Sequence, residues 1–171
     1  MIDYFRPSAA EHGAALNAMA RDCFVESFGH LYEPKDLASY VRATYGPDGL
    51  LQELTDPDYA FRVASEQGRI VGYVKLGPLG LPAPNPRPGA IELRQLYVLK
   101  AWHGSGVAGG LMEWAIDCAR NGGAPELYLG VFDHNHRAKR FYARYGFEDV
   151  GGCVFRVGEQ LDDDRMWRKA L

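Results

Sequence analysis

No run of apolar residues in this sequence is long enough to cross a bilayer as a helix. The longest apolar stretches are short and broken by charge, which excludes a helical membrane span. A basic cluster is also missing. Lysine and arginine number 19 against 22 acidic residues, for a net charge of −3, so no nucleic-acid surface is expected. Cysteine is scarce: Cys23, Cys118 and Cys153 are odd in number, widely spaced and without a C-x-x-C pair. They read as reduced, packed thiols rather than a disulfide framework. His103, His134 and His136 have no cysteine or paired carboxylate at metal-binding spacing, so no metal is expected. The opening MIDYFRPSAAEHG has no basic segment followed by an apolar one, so no secretory leader is expected and the setting reads as cytoplasmic. Neither a G-x-S-x-G elbow nor a Ser-His-Asp order is visible, which leaves hydrolase chemistry without support.

What is present is enough chain, 171 residues, for a single domain over 1–171 with a substantial core. IDYFRPS reads as a short first strand, and residues 9–28 and 34–44 as helices, the second with Pro34 in its first turn. LLQEL allows one more helical turn. Residues 59–76 read as a hairpin turning at Gln67-Gly68. Residues 77–89 hold five of the ten prolines, which forbids helix or central strand there and predicts a surface loop. Its role is not legible. AIELRQLYVL (90–99) is the strongest strand. A helix from about Ser105 to the Gly122-Gly123 pair, a strand at 126–132, a short helix with Asp133 or Asn135 as its N-cap and Gly146 as its stop, and two closing strands complete the chain. The acidic run Asp162-Asp163-Asp164 reads as a solvated turn, with attraction of an amine as the alternative. The order predicts an α/β (α+β) fold: a mixed, mostly antiparallel sheet with one central β-α-β crossover, flanked by helices.

GSGVAG, from Gly104 to Gly109, falls where a strand passes into a helix. Four glycines within residues 104–110 leave backbone N–H groups unshielded at the positive end of the helix dipole, a place suited to a pyrophosphate. Two phosphate ligands fit the letters. G-x-G-x-x-G is the dinucleotide fingerprint, and Asp133 lies where a ribose-binding carboxylate could fall. Against it, five residues separate Val98 from Gly104, whereas the dinucleotide turn comes directly off its strand. The rest of the chain is also rich in hairpins rather than β-α-β repeats.

LYVLKAWHGSGVAGGLMEWA resembles the acetyl-CoA motif of the GNAT N-acetyltransferase superfamily, in which a strand ending L-Y-V leads to Q/R-x-x-G-x-G/A. Here that block runs from His103 to Ala108, with histidine where glutamine or arginine is usual. NHRAKRFYARYGF, from Asn135 to Phe147, is similar to the second block, N-x-x-A-x-x-F-Y-x-x-x-G-F. More loosely, the N-terminal half and the tail look like the bacterial spermidine/spermine acetyltransferase subgroup.

The resemblance implies acetyl transfer from acetyl-CoA to an amine. The chemistry makes demands of its own. A simple alkylamine is only about 0.04% neutral at pH 7, so a carboxylate or water chain must take its proton. The carbonyl oxygen needs a donor, and the departing thiolate a proton. By resemblance, Glu92 is the base, its alternative role being a strand carboxylate paired with Arg94. Tyr142 is the thiolate's acid, the alternative being a packing tyrosine. Backbone groups of Leu96, Tyr97 and Val98 flank the acetyl and pantetheine arms. The amides of Gly104, Ser105, Gly106, Val107, Ala108 and Gly109, with His103 beside them, hold the pyrophosphate. Asn135 bonds the pantetheine or caps its helix. Phe28, Tyr32 and Glu92 line the acceptor side, and the acceptor is a small-molecule or peptide amine, a polyamine by the subgroup resemblance. A homodimer fits the family. The rival reading is a CoA-binding sensor without turnover.

Overall fold

The computed structural model describes residues 1–171. Seven strands form one sheet in the order β1-β2-β3-β4-β5-β7-β6. The strands are β1 (Ile2–Phe5), β2 (Ala60–Glu66), β3 (Arg69–Pro78), β4 (Ile91–Val98), β5 (Glu126–Phe132), β6 (Glu148–Val157) and β7 (Gln160–Ala170). Only β4 and β5 run parallel, which they do because helix α4 (Val107–Asn121) carries the chain back between them. This leaves no repeated β-α-β units for a dinucleotide-binding domain, and the predicted mixed sheet with one crossover is the observed one.

The two faces of the sheet bury different helices. Val107, Leu111, Met112, Ala115 and Ala119 of α4 pack on Val74, Leu93, Leu127 and Leu129, joined by Tyr142 of α5 (His136–Arg144). On the other face Leu16, Ala20, Cys23 and Phe24 of α1 (Ala9–Phe28) pack with Tyr45 of α2 (Pro34–Tyr45) and Leu50 of the one-turn α3 (Leu50–Glu53) against Val63 and Tyr73. The helix starts follow local chemistry. Ser8 Oγ accepts the Glu11 N–H at 3.3 Å to cap α1. Asn135 Oδ1 accepts the Ala138 N–H at 3.1 Å to cap α5.

Two irregularities prepare the site. Pairing between β4 and β5 is confined to Ile91–Leu127 and Glu92–Tyr128, after which the strands diverge. Within β4, a register shift against β3 leaves Arg94 as an extra residue. Glu92, Gln95 and Tyr97 therefore share the α1 face, while Leu93, Leu96 and Val98 face α4.

One expectation fails. Asp162, Asp163 and Asp164 form no turn: they lie within β7, and the reversal sits before them at Gly158, whose φ is +60°. Strand alternation puts Asp162 and Asp164 half-buried on one face and Asp163 exposed on the other.

Candidate functional site

After Val98 the chain makes a 3-10 turn over Lys100–Trp102 and reaches Gly106, the N-cap of α4. Gly104 and Gly106 have φ of +83° and +90°, conformations glycine adopts without strain. The space above both is open, since a Cβ there would meet nothing within 4 Å. No side chain caps α4, and the N–H groups of Val107, Ala108 and Gly109 have no acceptor in the chain. These unpaired donors at the positive end of a 15-residue helix form an anion cradle. Gly109 itself has a packing role, because a Cβ there would come within 3.1 Å of the Tyr145 hydroxyl of α5. The Ser105 hydroxyl turns back to donate to the Trp102 carbonyl at 2.6 Å.

His103 does not point into the cradle. Its Nε2 lies 2.8 Å from the Val98 carbonyl, and its Nδ1 lies 2.5 Å from Arg137 Nη1. Arg137 donates, so the imidazole accepts at Nδ1 and donates from Nε2 to Val98. The histidine that departs from the family pattern thus ties the end of β4 to the first turn of α5.

The Leu99 N–H bonds the Val71 carbonyl of β3. Alternation along the strand then turns the peptide groups of Leu96 and Val98 toward the gap beside β5 and that of Tyr97 toward β3. Of the three residues expected to flank the cofactor arm, Leu96 and Val98 present backbone to the gap. Tyr97 contributes its side chain on the opposite, α1 face, edge-on to Tyr73 at 5.7 Å.

Tyr142 is buried, and burial pushes its hydroxyl up to about 12. That hydroxyl has no hydrogen-bond partner, yet it is not sealed from open space. Its ring is held edge-on by Phe141 and Phe147.

On the α1 face, Glu92 Oε2 accepts the N–H groups of Gly80 and Leu81 at 2.9 and 3.2 Å, with Arg94 Nη1 at 3.9 Å. Oε1 makes no hydrogen bond within the chain and remains open. Glu92 borders a cavity of about 470 Å³ shared with Tyr40, Lys75, Gln95, Tyr97 and Phe155. Lys75 is buried and paired to Glu53 at 2.5 Å. Burial lowers its pKa, and Glu53 works against that. Neither Lys75 nor Glu53 was anticipated; a lysine amid the apolar run of VGYVKLG was the available signal.

Phe28 packs on Phe132 with ring centres 6.5 Å apart. The Tyr32 hydroxyl donates to Asp162 Oδ2 at 2.6 Å, and burial followed by this bond raises its pKa. Beside them Asp164 accepts no hydrogen bond. Burial, then the charges of Asp162, Asp133 and Asp163, push it up to about 6. A carboxylate held this unfavourably in its charged form attracts a cation. The structure therefore brings Phe28, Tyr32 and Glu92 to one face and places Asp164 of the acidic run beside Phe132 on that face.

Residues 14–147 match the acetyltransferase (GNAT) family model. An uncharacterised N-acetyltransferase of Mycobacterium tuberculosis is 37% identical over 156 residues, covering 91% of this chain and 96% of that one. Another, from Lactobacillus delbrueckii subsp. lactis, is 30% identical over 154 residues, covering 90% and 89%. Among solved structures, the PaiA N-acetyltransferase of Thermoplasma acidophilum, in complex with coenzyme A, superposes with a TM-score of 0.76 at 20% identity, covering 100% of this chain and 99% of that one. The match over most of the chain, the diverging β4–β5 pair and the glycine cradle agree: this chain belongs to the GNAT acetyltransferase family and is an acetyl-CoA-dependent N-acetyltransferase.

Proposed function

We propose that the protein transfers the acetyl group of acetyl-CoA directly to a cationic alkylamine, polyamines included, within a ternary complex. The observation that carries the acceptor class is Asp164, a half-buried carboxylate with no cationic partner beside the opening between β4 and β5. With Asp162 on the same face it provides negative potential for an ammonium.

The cradle amides of Gly104 and of Gly106 to Gly109 hold the pyrophosphate, the Ser105 N–H being taken by the Trp102 carbonyl at 3.2 Å, and the backbone of Leu96 and Val98 lines the pantetheine arm. The Val98 N–H, turned into the gap, is the donor for the carbonyl oxygen as charge develops on it. Glu92 Oε1 takes the proton of the incoming ammonium, directly or through water. The neutral amine attacks the thioester carbon. A C–N bond forms, the C–S bond breaks as Tyr142 protonates the departing sulfur, and the second proton of the acetylated nitrogen passes through water to the tyrosinate, which leaves a neutral amide and restores the Tyr142 hydroxyl. A hydroxyl near pKa 12 stays protonated through the working range, so the donor is always loaded. Asn135 serves as the cap of α5, and its N–H and C=O already bond Phe132 and Lys139 within the chain.

A thiol-release assay with acetyl-CoA and a panel of alkylamines, amino acids and peptides tests this reading. Release is expected with di- and polyamines ahead of neutral or anionic amines. CoA binding without release on any amine would favour a sensor instead.

A further inference from the structure

The loop of five prolines between β3 and β4 has a definite place. Two buried carboxylates on the α1 face pin it through its backbone. Glu92 of β4 receives the N–H groups of Gly80 and Leu81, and Glu126 of β5 receives the Arg87 N–H at 2.9 Å. Residues 79–89 thus run as a strap over the root of the β4–β5 opening, stiffened by Pro82, Pro84, Pro86 and Pro88.

Gly130 marks what lies beneath. β5 is an inner strand of the sheet, buried at every other position except the half-buried Phe132 at its end, yet Gly130 is exposed. A Cβ on it would meet Leu81 Cδ2 at 3.5 Å and Asp164 Oδ2 at 4.0 Å. A slot therefore opens over Gly130, with the Leu81 side chain on one side and the Asp164 carboxylate on the other. Leu81 also borders the 470 Å³ cavity. It stands between that cavity and the opening, on a segment that two pins hold in place.

We propose that Leu81 is the acceptor gauge: its side chain sets how bulky a group may flank the amine that reaches the slot over Gly130. The inference rests on the acetyl-transfer reading above. Bulk at Leu81 or Gly130 narrows the slot, and truncation of Leu81 widens it. The CoA cradle, built from the opposite ends of β4 and α4, does not sense either change.

The test measures binding by calorimetry, so it does not need turnover. Ligands are CoA and CoA–S-acetyl amides of methylamine, butylamine and cyclohexylmethylamine, with wild type, Leu81→Ala, Leu81→Phe and Gly130→Ala. Leu81→Ala is expected to tighten the cyclohexylmethyl conjugate about tenfold, and the two narrowing variants to weaken it by about as much, while CoA and the methyl conjugate stay within about twofold. An equal shift of all conjugates, or a matching change for CoA, overturns the proposal. The acetyl-transfer reading fails by a different result: wild type binds the conjugates yet releases no thiol with any amine.

Discussion

Replacing Glu92 by glutamine separates the strap contact that its side chain makes from the proton transfer proposed for it. Oε2 holds the strap through Gly80 and Leu81, and Oε1 faces open space where an ammonium proton could be received. Glutamine keeps a carbonyl oxygen for the two loop amides, but the bonds lose their charge assistance, about half their strength. At roughly 0.5–1.5 kcal/mol net for a neutral bond against 1.5–3 for a charged one, the two bonds together cost about 2–3 kcal/mol of stability. That is a fall in Tm of roughly 4–12 °C for a chain of this size. The catalytic cost is read separately. Loss of a positioned base lowers kcat/KM by about 10²-fold, near 2.7 kcal/mol of barrier. Glu92→Ala releases the strap as well and should raise KM for the amine beyond the effect of glutamine. Steady-state rates by thiol release from pH 5.5 to 9, with Tm and CoA affinity alongside, decide the matter. Turnover and a pH profile unchanged in Glu92→Gln would remove Glu92 from the proton path and leave it as a strap pin only.

Tyr142→Phe keeps the ring between Phe141 and Phe147 and removes the proton donor. kcat should fall about 10²-fold with CoA affinity unchanged in calorimetry, and an unchanged kcat contradicts the role. Gly106→Val places a branched side chain at φ +90°, in the open space over the cradle. CoA affinity should drop at least about tenfold while the backbone strain costs about 1–3 kcal/mol of stability. Equal CoA affinity counts against the cradle. Asp164→Asn should move stability and activity in opposite directions. A carboxyl raised from 3.8 to about 6 is penalised in the fold only where it is ionised, so the penalty is absent below pH 4 and complete above pH 6. Fully buried, the displacement would amount to about 3 kcal/mol, and solvent screening at this half-exposed site reduces it to about 1. Asn should therefore raise Tm by about 2–4 °C at pH 7 and leave it unchanged at pH 4, while KM for a diamine rises. A pH-independent gain refutes the assignment.

The parts of the fold written in local pattern were legible. Ala9–Phe28, Ile91–Val98 and Glu126–Phe132 fall where the sequence places them, because helical periodicity and strand alternation act over neighbouring residues. The glycine cradle was legible for the same reason: Gly104 and Gly106 need only their own backbone angles. Asp162–Asp164 misled because three consecutive acids have the composition of a turn, while their true state depends on pairing with Phe132 and Cys153 across the sheet. The strap was opaque because its pins are 11 to 39 residues away in sequence, and nothing within the prolines names them. His103 could be flagged only as a departure; that it spans from Val98 to Arg137 depends on how α5 comes to lie beside the end of β4.

The extra residue in β4 has a consequence of parity. In an unbroken strand, positions 92, 94, 96 and 98 would point one way and 93, 95 and 97 the other. Glu92 would then share a face with Leu96 and Val98, and Gln95 and Tyr97 would be driven into the packed layer beneath α4. With Arg94 unmatched opposite β3, the count is reset midway. The same strand thus sends its carboxylate and its later polar side chains to the cavity on the α1 face while keeping its aliphatic residues in the core. Drawing Arg94 into the ladder as an ordinary paired residue would invert that division without altering the composition of either half, and the chain would have to surrender the core beneath α4 or the wall of the cavity on the α1 face, whereas removing Arg94 outright leaves Glu92 and Gln95 two positions apart and keeps the division.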